Sequence, residues 1–120
     1  METSNSMFVI LWEFEVKSGY EAEFEREYGP EGVWAKFFGR DPAYHGTRLL
    51  RDTAQGRRYR TLDCWESRTE YERFRERNAA EYKKIDAKCE AMTEKETPVG
   101  MFETVEERFL ARRGALGMTD

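Results

Sequence analysis

Histidine, cysteine and proline are scarce in this 120-residue chain, which holds one, two and three of them. A single histidine (His45) and two cysteines far apart (Cys64 and Cys89) leave no ligand set for a structural zinc and no haem-attachment pair. Glycine-rich phosphate loops, a nucleophile elbow and an H-E-x-x-H helix are all absent. No hydrophobic run is long enough to cross a bilayer, because Glu13 and Glu15 interrupt the one that begins at Met7. Basic excess is missing too: 24 acids face 20 bases, for a net charge of −4, which argues against a nucleic-acid footprint. The first six residues carry neither a basic residue nor an apolar core, so no signal peptide is expected and the cytoplasm is the expected location. Both cysteines are expected as unpaired, buried small hydrophobes.

Aromatic residues are abundant: eight Phe, six Tyr and three Trp. They fall on two periodicities. Met7–Val16 alternates, with Phe8, Ile10, Trp12, Phe14 and Val16 on one face, and predicts a central strand. A helix is expected next, capped by Ser18 with Glu21 and burying Tyr20, Phe24 and Tyr28. Gly29-Pro30 breaks it, and a short second helix carries Val33, Trp34, Phe37 and Phe38. Tyr44–Asp52 predicts a second strand, joined by a hairpin at Thr53–Gly56 to a third over Arg58–Trp65. Ser67 and Glu70 form another capping box. It opens one long helix whose face is Tyr71, Phe74, Asn78, Tyr82, Ile85, Cys89 and Met92. Thr97–Val105 predicts the last strand, and a short helix capped by Thr104 is expected in the tail.

The order strand, helix, strand, strand, helix, strand is the split βαβ pattern of an α+β, ferredoxin-like βαββαβ fold. The handedness of the crossovers puts the helices on one face of an antiparallel sheet. One domain over 7–105 is expected, with a disordered N-terminus (1–6) and a C-terminal tail (106–120). The other sheet face carries Val9, Leu11 and Leu62. Exposed apolar faces are rarely left bare, so a homodimer packed sheet against sheet is expected.

Between sheet and helices lies an aromatic space with few polar side chains. Asp63 shares its strand face with Tyr59, Thr61 and Trp65. A carboxylate there must be paired, with Arg48, Arg51 or Arg60 as candidate partners, or it must anchor or deprotonate a ligand. His45 is a second candidate proton acceptor. Trp12, Trp65, Tyr59 and Phe74 are candidate ring-stacking residues, Asn78 a polar contact from the long helix, and Arg51 a clamp for a phenolate.

These residues carry a resemblance. Met7–Val16 followed by Lys17-Ser18-Gly19, Tyr44–Asp52, Thr61–Ser67 and Val99–Phe102 together resemble the antibiotic biosynthesis monooxygenase superfamily. The resemblance implies a dimeric α+β barrel with one cavity per protomer, and places Trp65 in that cavity. It implies a cofactor-independent monooxygenase that joins O2 to a small phenol- or quinol-type substrate, with no bound cofactor. A non-catalytic small-molecule-binding dimer and a haem-binding or haem-degrading protein are the alternatives of the same fold. The haem-degrading branch uses a histidine on the long helix and an asparagine on the first strand, where this chain has no histidine and has Trp12.

Overall fold

Backbone irregularities on both edge strands shape the sheet: one at a glycine on the first, and two on the other, one of them beside a proline. The computed structural model describes residues 6–105. Among them, β1 (Phe8–Val16), β2 (Tyr44–Arg51), β3 (Arg58–Trp65) and β4 (Thr93–Glu103) form one antiparallel sheet in the order β2-β3-β1-β4. Helices α1 (Glu21–Tyr28), α2 (Val33–Phe38), α3 (Arg68–Arg77) and α4 (Ala79–Cys89) complete the expected ferredoxin-like α+β topology. The tail helix expected over 106–120 and the disorder expected at the extreme N-terminus lie outside the described residues.

β1 is central, pairing with β3 through Ile10↔Asp63 and Phe14↔Tyr59 and with β4 through Phe14↔Glu96. β4 begins at Thr93, earlier than the expected Thr97, directly after a 3-10 turn over Glu90–Met92. Pro98 therefore sits inside a strand rather than at its start. It is accommodated because β4 is an edge strand and its register shifts at that point, from Leu11↔Gly100 to Trp12↔Pro98.

The inner face buries most of the aromatic residues. Phe24 stacks on Tyr28 at 4.2 Å and packs on Phe14 and Tyr59 at 5.2 and 4.9 Å. Phe38, Tyr71 and Phe74 surround Trp65 at 5.4–5.6 Å. Rings of this size remove large apolar areas from water and contribute further through tilted and edge-on contacts.

Two expectations about helix ends divide. Ser67 caps α3, accepting a hydrogen bond from the Glu70 amide at 3.2 Å. Ser18 does not cap α1, which begins at Glu21 after a turn through Gly19 at φ +90°. In that turn the Glu21 carboxylate accepts from the Gly19 amide at 2.8 Å. The long helix is also two helices. The backbone leaves the helical region at Asn78 (φ −122°, ψ 29°), and the Asn78 side-chain amide donates to the Phe74 carbonyl at 2.9 Å.

On the outer face Met7, Val9 and Cys64 are buried within the protomer, with Leu11 and Leu62 packed against them. Val9, expected on a face that a second subunit would cover, is thus already buried within the protomer. The exposed apolar side chains of this face are Leu50 and Phe102, on the two edge strands. Both cysteines are free and buried, as expected. Among the described residues no helix is long and apolar enough to cross a membrane.

Replacing Ser67 by Ala removes the cap of α3 and is expected to cost about 1 kcal/mol. For a domain of this size that is a fall of about 4–8 °C in Tm, read by thermal circular dichroism. An unchanged Tm would mean that the cap contributes nothing.

Candidate functional site

Of the four β3 residues facing the helices, only the middle two look into open space. At one end Tyr59 is 1% exposed, roofed by Phe24 of α1, with its hydroxyl on Glu25 at 2.6 Å. At the other end Trp65 is fully buried beneath Phe38 and α3. Between them Thr61 and Asp63 line a cavity of about 90 Å³. Trp12 and Phe14 of β1, Thr47 of β2 and Glu96 of β4 continue its floor, and Tyr28, Trp34, Phe38, Tyr82 and Asp86 close it from the helical side.

Asp63 is the polar centre of this floor. Its Oδ1 accepts from the Thr47 hydroxyl at 2.6 Å. Thr47 has spent its proton on Asp63, so it accepts from the neighbouring Tyr44 hydroxyl, and the three groups form a one-way chain. Among the described residues no arginine, lysine or histidine pairs with Asp63; of the expected partners, Arg51 pairs with Glu25 and Arg60 with Glu13. Burial raises its pKa from near 3.8 to about 6, against the opposing Thr47 hydrogen bond. Burial likewise pushes the Tyr44 and Tyr82 phenols up to about 12, so both stay protonated donors at neutral pH.

The cavity is acidic. Glu96 is also raised, by burial first, with the charges of Asp86 and Glu90 adding to it and a Thr93 hydrogen bond opposing. Its carboxylate accepts from the Thr93 hydroxyl at 3.1 Å. None of the lining residues is basic. The guanidinium of Arg75 stacks on the Tyr82 ring at 3.7 Å and donates to the Tyr71 hydroxyl at 2.7 Å. No three His, Cys, Asp or Glu side chains among the described residues converge enough to hold a metal ion.

Of the candidate site residues, Asp63 and Trp12 line the cavity and the others do not. Trp65, Tyr59 and Phe74 are core residues outside the cavity lining. Arg51 is exposed and pairs with Glu25 at 2.9 Å. Asn78 is occupied by the helix break. His45 bonds Glu66 at 2.7 Å and does not line the cavity.

The reason for the His45 error is local. Strict alternation would set His45 and Thr47 on one face and Tyr44 on the other. The register jumps from Tyr44↔Trp65 to Gly46↔Cys64, with Gly46 at φ +122° absorbing the bulge. Tyr44 and Thr47 consequently share the inner face, and His45 is the residue expelled. A glycine inside a strand was the available signal. Glu96 was missed because β4 was started one residue after it. Asp86 was missed although it follows Tyr82 by one helical turn.

The sequence model of the family described as antibiotic biosynthesis monooxygenase matches residues 7–87. Among solved structures, a variant of SnoaB, a cofactor-independent oxygenase from Streptomyces nogalater, is 20% identical with a TM-score of 0.63, covering 88% of this chain and 98% of that one. A Bordetella bronchiseptica protein assigned to the antibiotic biosynthesis monooxygenases is 21% identical with a TM-score of 0.61, covering 84% and 97%. A similarly assigned protein from Nitrosomonas europaea is 12% identical with a TM-score of 0.57, covering 89% and 94%. No curated protein matches the chain significantly. At these identities the likeness to solved structures shows the fold.

The Asp63 shift has a testable sign. With a folded-state pKa raised from 3.8 to about 6, the folded protein holds this proton more tightly than the unfolded chain. That stabilisation is fully present below about pH 4 and is lost as pH rises through 6. Urea melts should show Asp63→Asn and wild type alike at pH 4, with the variant more stable at pH 7 by up to about 3 kcal/mol, two pKa units at about 1.36 each. A difference independent of pH would contradict the burial of this charge.

Proposed function

Since the chain belongs to the antibiotic biosynthesis monooxygenase family, we propose that it oxidises a small phenol- or quinol-type aromatic with O2 in this cavity, without a bound redox cofactor. The observation that carries the reading is Asp63: a carboxylate with no cationic partner among the described residues, set in an aromatic-walled cavity, with its pKa raised by burial to about 6. A general base works best when its pKa lies near the operating pH.

The chemistry balances without a reductant. Asp63 accepts the phenolic proton, and the pocket's charge is unchanged because the phenolate replaces the carboxylate. The electron-rich ring then gives up four electrons to O2. One oxygen atom enters a ring carbon to give the quinone, and the other leaves as water. Thr47 holds the carboxylate in place throughout, and the Tyr44 hydroxyl holds Thr47. Trp12, Phe14 and Trp34 offer flat apolar surface for the ring and keep water scarce around the developing anion.

Size selects the substrate. A cavity of about 90 Å³ is well below the ~300–1,000 Å³ of sites that take drug-sized ligands, which favours one ring over a polycycle or a haem. We further propose a cytoplasmic homodimer packed through the outer sheet faces, with Leu50 and Phe102 supplying exposed apolar contact. A mass of 14.2 kDa by light scattering at micromolar concentration would remove the dimer.

Oxygen uptake with a panel of hydroquinones and para-unsubstituted phenols tests the activity. Asp63→Asn should lower the rate by a factor of about 10²–10⁴, the usual contribution of a positioned base. The wild-type rate should rise with pH through about 6 as Asp63 ionises. Equal rates in wild type and variant would remove Asp63 as the base. A wild type inert across the panel would leave a non-catalytic binding protein.

A further inference from the structure

Among the described residues three polar side chains are buried: Thr47, Thr61 and Thr93. Two of them spend their proton on a carboxylate, Thr47 on Asp63 at 2.6 Å and Thr93 on Glu96 at 3.1 Å. The Thr61 hydroxyl bonds to no described residue, and yet it is not sealed within the core. Thr61 is 4% exposed and lies in the middle of the sheet, between Trp12 of β1 and Leu49 of β2, so its open side is the cavity that it lines.

Packing does not call for this hydroxyl. Valine has the same shape and suits a strand as well. A buried hydroxyl without a partner costs stability. The Thr61 proton is unspent, whereas that of Thr47 is committed to Asp63. It is free to meet something in the cavity.

Thr61 and Asp63 rise from the same face of β3, and positions two residues apart on a strand are separated by roughly 7 Å. That is enough for one benzene ring laid lengthwise. Trp12, the cross-strand partner of Thr61, and Phe14, stacked on Trp12 at 6.3 Å, give such a ring flat apolar neighbours. In a 1,4-dioxygenated ring the two oxygens stand at opposite ends and come close to the spacing of the two side chains. Those of a 1,2-diol are too close together to meet both, and those of a 1,3-diol leave the line of the strand.

We propose that Thr61 is the second polar contact of the substrate, and that the substrate is a 1,4-dioxygenated ring: one hydroxyl meets Asp63, and the oxygen para to it meets the Thr61 hydroxyl. This rests on the cavity being the substrate site. A hydroxyl both donates and accepts, so Thr61 serves the diol and, by donating, the quinone oxygen that replaces it. On a 1,4-diol the incoming oxygen enters a ring carbon beside one hydroxyl and gives a hydroxyquinone. The two hydroxyl hydrogens leave in the water formed from the other oxygen atom.

Two probes isolate the contact: hydroquinone, and 4-methylphenol, which replaces the para hydroxyl by a methyl group of similar size. Binding is measured by titration calorimetry under argon at pH 7.5, so that no oxidation intervenes. Thr61→Val should shift the ratio of the two affinities by about tenfold toward 4-methylphenol, the worth of one buried hydrogen bond left unmade. Thr61→Ser, which keeps the hydroxyl, should shift it by less than threefold. Affinity for 4-methylphenol should hold or rise in the valine variant, which reports an intact cavity. Resorcinol against 3-methylphenol should shift by less than threefold in either variant. A ratio for the para pair that Thr61→Val leaves unchanged, an equal shift for the meta pair, or failure of hydroquinone to bind the wild type would overturn the contact.

Oxygen uptake read in parallel keeps the two readings apart. The full shift of the para ratio without uptake sinks only the oxygenase reading. Uptake on phenols with a para ratio indifferent to Thr61→Val sinks only this contact.

Discussion

A carboxylate placed in a layer of aromatic rings has to be held, and in this protein the hydroxyl of Thr47 holds it. The contact of 2.6 Å between Thr47 and Asp63 depends on where β2 puts its side chains. That in turn depends on the bulge at Gly46, which turns His45 out and brings Tyr44 and Thr47 in together. Without the bulge, His45 would stand inward beside Thr47 and Tyr44 would turn out, so Thr47 would lose the hydroxyl that now leaves its own proton committed to Asp63. An uncompensated buried carboxylate is costly enough that the group would stay protonated or the region would rearrange. One extra residue in an edge strand thus sets the state of the site.

The cavity follows from how the helices cover the sheet. α1 packs over Tyr59, and α2 with α3 packs over Trp65. The helical break at Asn78 separates α3, which closes the core, from α4, which brings Tyr82 and Asp86 to the rim. The middle of the sheet is left to Trp12, Thr61 and Asp63. Neighbouring rings are packed closely enough that the remaining space is small, about 90 Å³.

The chain order and the fold class were legible because alternation over Met7–Val16 and the capping box at Ser67 are strong local signals. Family resemblance drew on the same segments. Asp63 was legible as well, since a lone acid among Tyr59, Thr61 and Trp65 has few ordinary explanations. What failed were inferences that depend on tertiary cover. Nothing in the sequence says that Tyr59 and Trp65 are roofed while Thr61 and Asp63 are open. Nor could a periodic apolar stripe from Tyr71 to Met92 reveal that Asn78 turns its amide back on Phe74. Glu96 was out of reach once the start of β4 was placed late, because the partner of Phe14 was then unknown.

The account stands on Asp63 being a desolvated carboxylate that titrates within the working range of the protein. A carbon-13 NMR titration of the aspartate side-chain carboxyls, with Asp63→Asn to assign the resonance, measures this directly. A midpoint near 6 is the expected result. A midpoint near 4, the value of an ordinary solvated aspartate, would show that the cavity does not bury this charge and would remove the basis for its role as proton acceptor.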